Sequence, residues 1–300
     1  MSVDMNTNPT VVITGATSGI GQLAAIALAR QGAHIVFTAR NEEKAGATHI
    51  AIKAAAPDAR VDIHYADFTS LHAVARVGNE ISSNYEHINV LINNAGLHAF
   101  EQRVTTDGFA EMIAVNYLAP WLLTHILREK IMGSSPSRIV TVGSRASGRS
   151  GNLNPGRDIC NTMPFTRLGS SKIYGQTKLM NIMFSLELAR QLQGTGVAVN
   201  CVCPGFNVTG LGRELGFAAF LERILTGLNI GNPRHGADII VRLASAPTFD
   251  RVSGGYFAAK TTKPLVPTPP GSDIAAQQEL WSVTSELLAG YLAATASTVQ

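Results

Sequence analysis

Short apolar runs rich in β-branched residues recur along the chain, separated by longer segments with helical spacing. The runs that predict strands are residues 10–14, 34–38, 61–65, 90–92, 139–142, 197–203 and 254–257, and the first is consistent with a strand buried on both faces. Helical spacing follows the first run at Ile20, Leu23, Ala24, Ala27 and Leu28. Because repeated strand–helix units imply a parallel sheet covered on both faces, we expect an α/β fold: a doubly wound, seven-stranded, mostly parallel sheet in a three-layer sandwich.

The second half of the chain adds segments that the strand–helix alternation does not explain. Residues 145–171 are rich in Gly, Ser, Asn and Pro and too long for an ordinary connection, so we expect them to form part of a substrate mouth. Residues 211–228 have amphipathic helical character, which suits either a mobile lid or an ordinary surface helix. A last helix is predicted with one apolar face, formed by Leu280, Trp281, Thr284, Leu287 and Leu288.

Composition narrows the class of protein. With 300 residues, 45% of them hydrophobic, the chain can bury a large core, and one domain is the default. The net charge of +3 is small and scattered, which argues against nucleic acid as a partner. Cys160, Cys201 and Cys203 fit neither a disulfide framework nor a zinc site, and no metal is expected. The polar N-terminus and the absence of a membrane-length apolar run predict a soluble, cytoplasmic protein with no membrane span.

A glycine-rich turn follows the first predicted strand, at Gly15-Ala16-Thr17-Ser18-Gly19-Ile20-Gly21. A strand that enters a helix through such a turn leaves unpaired backbone amides beside the positive end of the helix dipole, where a phosphate can bind. The glycines permit close approach of a pyrophosphate. A tight turn without a ligand remains the alternative.

Arg40 ends the second strand, where an NAD-binding protein would offer an acidic residue to the ribose. An arginine fork can instead hold a 2′-phosphate, so Arg40 favours NADP(H) over NAD(H). A surface charge closing a strand is the alternative. Glu42 and Glu43 are expected to face solvent in the first turn of the next helix.

Tyr174 and Lys178 are four residues apart in what looks like the start of a helix, so their side chains emerge from one face. A neighbouring ammonium stabilises a phenolate and lowers a pKa that is ordinarily about 10. That combination makes a general acid/base, although the pattern alone is common.

Polar residues follow two further strands and interrupt one helix. Asn93-Asn94-Ala95-Gly96 and Gly143-Ser144 stand at strand ends, where ligands bind in open α/β sheets. Ser144 has no partners for a hydrolase triad, so we interpret it as a hydrogen-bonding group. Asn116 lies inside a helical pattern over residues 107–130, either as a functional amide or as a buried group satisfied by backbone.

Taken together, these residues resemble the short-chain dehydrogenase/reductase family over about residues 9–260. Within the family, its retinol-dehydrogenase-like branch is the one that this chain resembles at Val115-Asn116-Tyr117-Leu118, at residues 171–181, and at Leu280-Trp281 with residues 285–290. The resemblance rests on motifs in one order: Gly15-x-x-x-Gly19-Ile20-Gly21, Asp67, Asn93-Asn94-Ala95-Gly96, Asn116, Ser144, Tyr174-x-x-x-Lys178 and Pro204-Gly205. It implies one Rossmann-type domain over residues 1–300, with a dinucleotide-binding half (about 9–135), a catalytic and substrate half (about 136–260) and a C-terminal extension (261–300).

The resemblance implies four catalytic residues. Tyr174 would donate a proton to the carbonyl oxygen that Ser144 orients; Lys178 would bind the nicotinamide ribose and lower the Tyr174 pKa, and Asn116 would hold a relay water. The implied cofactor contacts are Gly15, Thr17, Ser18, Gly19, Ile20, Gly21, Arg40, Asp67, Phe68, Asn94, Ala95, Gly96, Tyr174, Lys178, Pro204, Gly205 and Thr209. This chain departs from the branch at Gly143, where a serine is common, and at Ser18, where NADP-preferring relatives often carry a basic residue.

The expected activity is an NADP(H)-dependent interconversion of an alcohol and its ketone or aldehyde. The alternative is a catalytically silent NADP-binding regulatory or scaffold protein. Apolar residues in the segment 211–228 suggest a hydrophobic small-molecule substrate. Homo-oligomers are common in the family through the long helices around Trp121 and Met183, although the branch includes monomers.

Overall fold

The computed structural model describes residues 8–205, 232–258 and 263–296. Seven strands form one sheet in the order β3-β2-β1-β4-β5-β6-β7, and every pairing is parallel. The strands are β1 (Thr10–Thr14), β2 (His34–Ala39), β3 (Val61–Tyr65), β4 (Val90–Asn93), β5 (Ser137–Val142), β6 (Val197–Cys203) and β7 (Gly255–Ala258). The order reverses between β1 and β4, which confirms the doubly wound sheet and marks the crevice where such folds bind ligands.

Helices cover both faces of the sheet. The helices are α1 (Gly19–Arg30), α2 (Glu42–Ala55), α3 (Leu71–Asn84), α4 (Glu111–Ile113), α5 (Ala119–Gly133), α6 (Pro155–Asp158), α7 (Arg167–Gln191), α8 (Pro233–Ser245) and α9 (Ile274–Ala296). One apolar core joins the sheet to α3, α5, α7 and α9, and a second joins it to α1, α2 and α8. The three-layer sandwich is therefore confirmed. None of the described helices is long and apolar enough to cross a membrane.

The helix that carries Tyr174 begins earlier than the sequence analysis predicted. α7 starts at Arg167, because the Thr166 side chain accepts a hydrogen bond from Gly169 N at 3.2 Å and caps the helix. The prediction that Tyr174 opens the helix was wrong: it lies two turns inside. The long loop 145–171 is correspondingly shorter, and it contains a 3₁₀ turn (Arg145–Arg149) and α6.

The helical pattern over residues 107–130 is interrupted. α4 begins at Glu111 and passes through a π-helical turn (Ala114–Leu118) into α5. Asp107 lies outside the helix and its carboxylate accepts from Leu71 N, the first residue of α3, at 2.6 Å. It therefore caps the start of α3 rather than opening its own helix.

The C-terminal helix α9 packs on α3, α5, α6 and α7. Leu280, Thr284 and Leu288 are fully buried, and Thr284 shares a 2.7 Å hydrogen bond with the buried Tyr117 hydroxyl. Trp121 and Met183 mark the two long helices through which homo-oligomers are common in the family, and both side chains are fully buried within the chain. Self-association through the exposed parts of these helices stays a prediction. The predicted lid 211–228 and Thr209 lie outside the described residues.

Candidate active site

Four strand ends bring the candidate residues to one edge of the sheet. β1, β4, β5 and β6 are neighbours, and all run in the same direction. Their carboxyl ends lead into the glycine-rich turn, the Asn94–Gly96 segment, Ser144, and Pro204-Gly205. The parallel topology therefore gathers motifs that are up to about 190 residues apart in sequence.

The glycine-rich turn is held by the end of β4. Asn94 Nδ2 donates to Thr14 O at 2.9 Å and to Gly15 O at 3.0 Å. A Cβ on Gly21 would lie 2.3 Å from Asn94 Nδ2, and Gly15 adopts a φ of +68°. Gly15 and Gly21 are thus required by the packing of the turn itself, apart from any ligand. Asn94, proposed from sequence as a cofactor contact, uses its amide to fix the turn.

The start of α1 has the features of an anion site. Gly19, with a φ of +59°, opens the helix, and the Ser18 side chain does not cap it. The first turn of α1 contains no acidic residue, and Thr17, Ser18, Gly19 and Ile20 are all partly accessible. Backbone amides and the helix dipole therefore face a position that can accept a phosphate.

Arg40 and Asp67 follow β2 and β3 on the same edge. Arg40 is exposed and forms no ion pair with any residue in the described ranges. Glu42 and Glu43 are exposed in the first turn of α2, as predicted. Asp67 is exposed and accepts from Thr69 N at 3.0 Å, while Phe68 is 7% exposed and belongs to the core. The Arg40 guanidinium is thus accessible to a ligand, whereas the Phe68 side chain packs in the core below this edge of the sheet.

Gly96 lies between two of the predicted catalytic residues. It is exposed, and an added Cβ would lie 3.3 Å from both Asn116 Oδ1 and Lys178 Nζ. The preceding Ala95 is tied to β1, because its backbone N–H donates to Thr14 Oγ1 at 3.0 Å. A group that contacts the Gly96 backbone would therefore also approach the lysine.

The Asn116 side chain is fully buried in the π-helical turn. Its Oδ1 accepts from Leu97 N at 2.8 Å, and its Nδ2 donates to Leu97 O at 2.8 Å and to Thr177 Oγ1 at 3.1 Å. Of the two alternatives that the sequence left open, the structure shows the buried amide paired with backbone. The same amide connects the segment after β4 to α7. π-helical turns occur often at functional sites, and this one positions the Asn116 amide.

Lys178 is buried behind the site. It is 3% exposed, and its Nζ donates to Val142 O at 3.0 Å. Burial lowers the pKa of Lys178 from 10.5 to about 8, while the neighbouring Cys201 and Cys203 thiols act in the opposite direction. The ammonium can therefore lose its proton in a mildly alkaline range.

Tyr174 and Ser144 lie within reach of each other. Ser144 Oγ accepts from Ala146 N at 3.1 Å, which leaves the hydroxyl proton available, and its approach to Tyr174 favours the phenolate. Burial has the larger effect and raises the pKa of Tyr174 to about 12. The expectation that Lys178 lowers this pKa was wrong for this structure, because the desolvation of the phenolate dominates and Lys178 Nζ is 5.8 Å from the Tyr174 ring centre.

Two aromatic residues beside the site were missed. Tyr256, in β7, is 5% exposed and donates to Ser144 O at 3.3 Å, so it holds the backbone of the serine. His98 stacks on the Tyr174 ring, with ring centres 4.7 Å apart and planes at 21°. His98 stands two residues after Gly96, so its closeness to a strand end was the only sequence signal for it.

The remaining candidates lie around this centre. Gly205, with a φ of +81°, follows the buried Pro204 at the end of β6. Cys201 and Cys203 are buried free thiols, as predicted. Gly143 cannot carry a side chain without movement, since its Cβ would lie 3.0 Å from Cys201 Sγ. In the described part of the chain, no group of His, Cys, Asp or Glu side chains could hold a metal ion.

Comparison of the sequence with known proteins identifies the family. A family model described as short chain dehydrogenase matches residues 9–155. Human retinol dehydrogenase 13 is 34% identical over 285 residues, which cover 93% of this chain and 84% of the human protein. These matches establish the family on the sequence alone.

Solved structures show the same fold. An uncharacterized protein from Mycobacterium Paratuberculosis is 25% identical with a TM-score of 0.72, covering 96% of this chain and 97% of its own. A protein from Beutenbergia cavernae, assigned as an NAD(P) dependent gluconate 5-dehydrogenase and solved with NADP at low occupancy, is 25% identical with a TM-score of 0.66, covering 86% of this chain and 96% of its own. The strand-end site, the sequence matches and the shared fold agree: the chain belongs to the short-chain dehydrogenase family of nicotinamide-dependent oxidoreductases, in its retinol-dehydrogenase-like branch.

Proposed function

We propose that the protein is an NADP(H)-dependent oxidoreductase that interconverts an alcohol and its ketone or aldehyde. The observation that carries the proposal is the convergence of three side chains at the ligand-binding edge of the sheet: Ser144 approaches Tyr174, and Lys178 lies between the Tyr174 ring and Gly96. The relatedness to a retinol dehydrogenase supports chemistry at a CH–OH group. A binding protein has no use for an acid/base at this position.

Tyr174 is suited to give a proton to a carbonyl oxygen. Because burial raises its pKa to about 12, the phenol keeps its proton near neutral pH, the form needed for reduction. The Ser144 hydroxyl orients the same oxygen by hydrogen bonding. When bound, the nicotinamide supplies the hydride, so the protein need only position, polarise and exclude water.

Lys178 and the first turn of α1 are suited to hold the cofactor. Lys178 Nζ borders Gly96, where it can donate to ribose hydroxyls, and the backbone amides after Ser18 can receive the pyrophosphate. These residues fit a dinucleotide, since the first turn of α1 carries no acid to repel it. Asn116 keeps the Gly96 segment in place through Leu97.

The preference for NADP(H) is proposed from Arg40. Its exposed guanidinium follows β2 and can pair with a 2′-phosphate, so Arg40→Ala should weaken NADPH binding about 10- to 100-fold and leave NADH binding nearly unchanged. Isothermal titration with both cofactors measures this. Arg30→Ala, at the far end of α1, is the matched control and should change neither affinity. Tighter binding of NADH than of NADPH by the wild-type protein would contradict the proposal.

The substrate is proposed to be an apolar carbonyl or alcohol. Two apolar side chains are open to solvent here. Met163 lies in the segment before α7 and is 72% exposed, and Leu168 lies in the first turn of α7 and is 93% exposed. The experiment is a screen of NADPH oxidation over ketones and aldehydes of graded size, with retinal among them because of the relative's name. Turnover with part of this panel is expected. Tight NADPH binding without oxidation by any member would favour a silent binding protein instead.

A further inference from the structure

His98 covers one face of the Tyr174 ring. The two rings are nearly parallel, at 21°, with centres 4.7 Å apart, a stacked arrangement in van der Waals range. His98 is half-buried, and its backbone follows Leu97, which is fixed by both polar ends of the Asn116 amide. The imidazole is therefore supplied by a rigid segment.

A hydrogen bond to α7 fixes the orientation of the imidazole. His98 Nε2 lies 3.1 Å from Ser170 Oγ. Ser170 Oγ already donates its single proton to Arg167 O at 2.6 Å, so it can only accept from the histidine. His98 Nε2 must carry the proton.

The spacing along α7 explains why this bond places the ring over Tyr174. Ser170 and Tyr174 are four residues apart and lie on one face of the helix. A flat ring bound to the first residue thus extends over the second. Ser170 is fully buried, so the anchor is shielded from water.

We propose that His98 is a positioning residue for Tyr174: it keeps the phenol ring in one orientation beside Ser144 and excludes water from one of its faces. The role rests on the proposed function of Tyr174 as the acid/base. His98 itself transfers no proton to substrate. Removal of the ring should let the phenol rotate and hydrate, and a displaced catalytic group lowers kcat without weakening cofactor binding.

The test combines turnover with a titration that needs no substrate. The tyrosinate absorbance of each variant, minus that of the same variant carrying Tyr174→Phe, isolates one of the six tyrosines. Among the residues that the structure describes, the titratable neighbours of Tyr174 are His98, Lys178 and Cys203, and only the first is changed. Since burial raises the Tyr174 pKa, hydration should lower it toward about 10.

Three variants separate stacking from the hydrogen bond. With His98→Ala, the ionised fraction of Tyr174 at about pH 11 should rise at least about threefold, and kcat should fall about tenfold or more with NADPH affinity unchanged. His98→Phe keeps a flat ring and should retain most of both properties. Ser170→Ala likewise removes the hydrogen bond and keeps a ring over Tyr174, so it should behave like His98→Phe. His87→Ala, an exposed histidine, is the control.

Unchanged ionisation and kcat in His98→Ala would overturn the proposal, as would a loss in His98→Phe equal to that in His98→Ala. The titration also separates this inference from the proposed function. A shifted Tyr174 ionisation in a protein that turns over no carbonyl would support the positioning by His98 and count against the enzymatic role. Circular dichroism verifies that each variant is folded, and Ser170→Ala still tests the anchor if His98→Ala is not.

Discussion

At the scale of single residues, the site depends on how far each polar group is buried. Tyr174 and Lys178 have ordinary pKa values about half a unit apart, yet burial moves them in opposite directions, to about 12 and about 8. Near neutral pH both carry a proton. The tyrosine is thus a proton donor, and the lysine remains a cation within reach of a ribose.

The buried ammonium should cost stability below about pH 8. Because the unfolded lysine titrates at 10.5 and the folded one at about 8, the folded protein binds fewer protons between these values, so its free energy of unfolding should rise across that range, by about 3 kcal/mol. Lys178→Met removes this contribution. The difference in unfolding free energy between variant and wild type, from urea denaturation at several pH values, should therefore change by about that amount.

The exposed Lys172 offers the matched control for this prediction. Lys172→Met should give a difference from wild type that stays constant with pH. The same flat profile for Lys178→Met would show that burial does not depress the lysine pKa.

At the scale of elements, the glycine-rich turn and the end of β4 form one unit. A Cβ on Gly21 would meet the Asn94 amide and the Gly15 carbonyl oxygen, 2.5 Å away. The Asn94 amide packs against the turn and hydrogen-bonds to it, and the turn leads directly into the start of α1. Cofactor binding and local packing therefore depend on the same atoms.

Gly21→Ala should destabilise the fold by about 1–3 kcal/mol through overpacking and weaken NADPH binding at least about tenfold. Gly46→Ala is the matched control, because no atom lies within 4 Å of its added Cβ in α2. It should stabilise the protein by about 0.5–1 kcal/mol. Thermal unfolding and cofactor titration of both variants measure these effects; equal behaviour of the two would contradict the role given to the turn.

Helices and strands were predicted best from the sequence where neighbouring residues alone determine them. The first, third and sixth strands begin and end at the predicted residues. β1 and β6 are mostly apolar runs in which almost every residue is buried, which is a clear signature, whereas β3 is a partly exposed strand at the edge of the sheet. The start of α7 was missed, since its first turns are polar and the cap at Thr166 is one hydroxyl among several. Asn116 was singled out correctly as unusual, but its partners at Leu97 depend on tertiary packing.

The same limit applies to the candidate site. Motif order identified Ser144, Tyr174 and Lys178, and the parallel sheet explains why they meet. His98 and Tyr256 come from segments without a motif, and only the packed structure brings them to the tyrosine and the serine. The direction of the Tyr174 pKa shift was missed because burial is not visible in a spacing of four residues.

At the scale of the whole molecule, α9 completes the core beside the site. It covers α5 and α7, and its Trp281 ring lies near those of Trp121 and Phe184, with centres 5.8 Å and 6.0 Å away. Gln277, near its start, accepts from Arg190 of α7 and donates to Gly271 O at 2.7 Å. The C-terminal extension is thus part of the folded layer that supports Tyr174.

Leu280→Ala should reduce the free energy of unfolding by about 2–5 kcal/mol, because it leaves a cavity at a fully buried position. Glu279→Ala, at the neighbouring exposed position, should change it by less than about 0.5 kcal/mol. Chemical denaturation followed by tryptophan fluorescence compares the two. A small effect of Leu280→Ala would mean that α9 does not pack as described.

The most direct test of the central claim is the rate of NADPH-dependent carbonyl reduction by Tyr174→Phe. Loss of the single hydroxyl should lower kcat about 10²- to 10⁴-fold while the Kd for NADPH changes less than about twofold, since the group acts on the reacting oxygen. Tyr65→Phe, at a 41% exposed tyrosine, should keep wild-type turnover. Wild-type turnover by Tyr174→Phe would rule out Tyr174 as the proton donor.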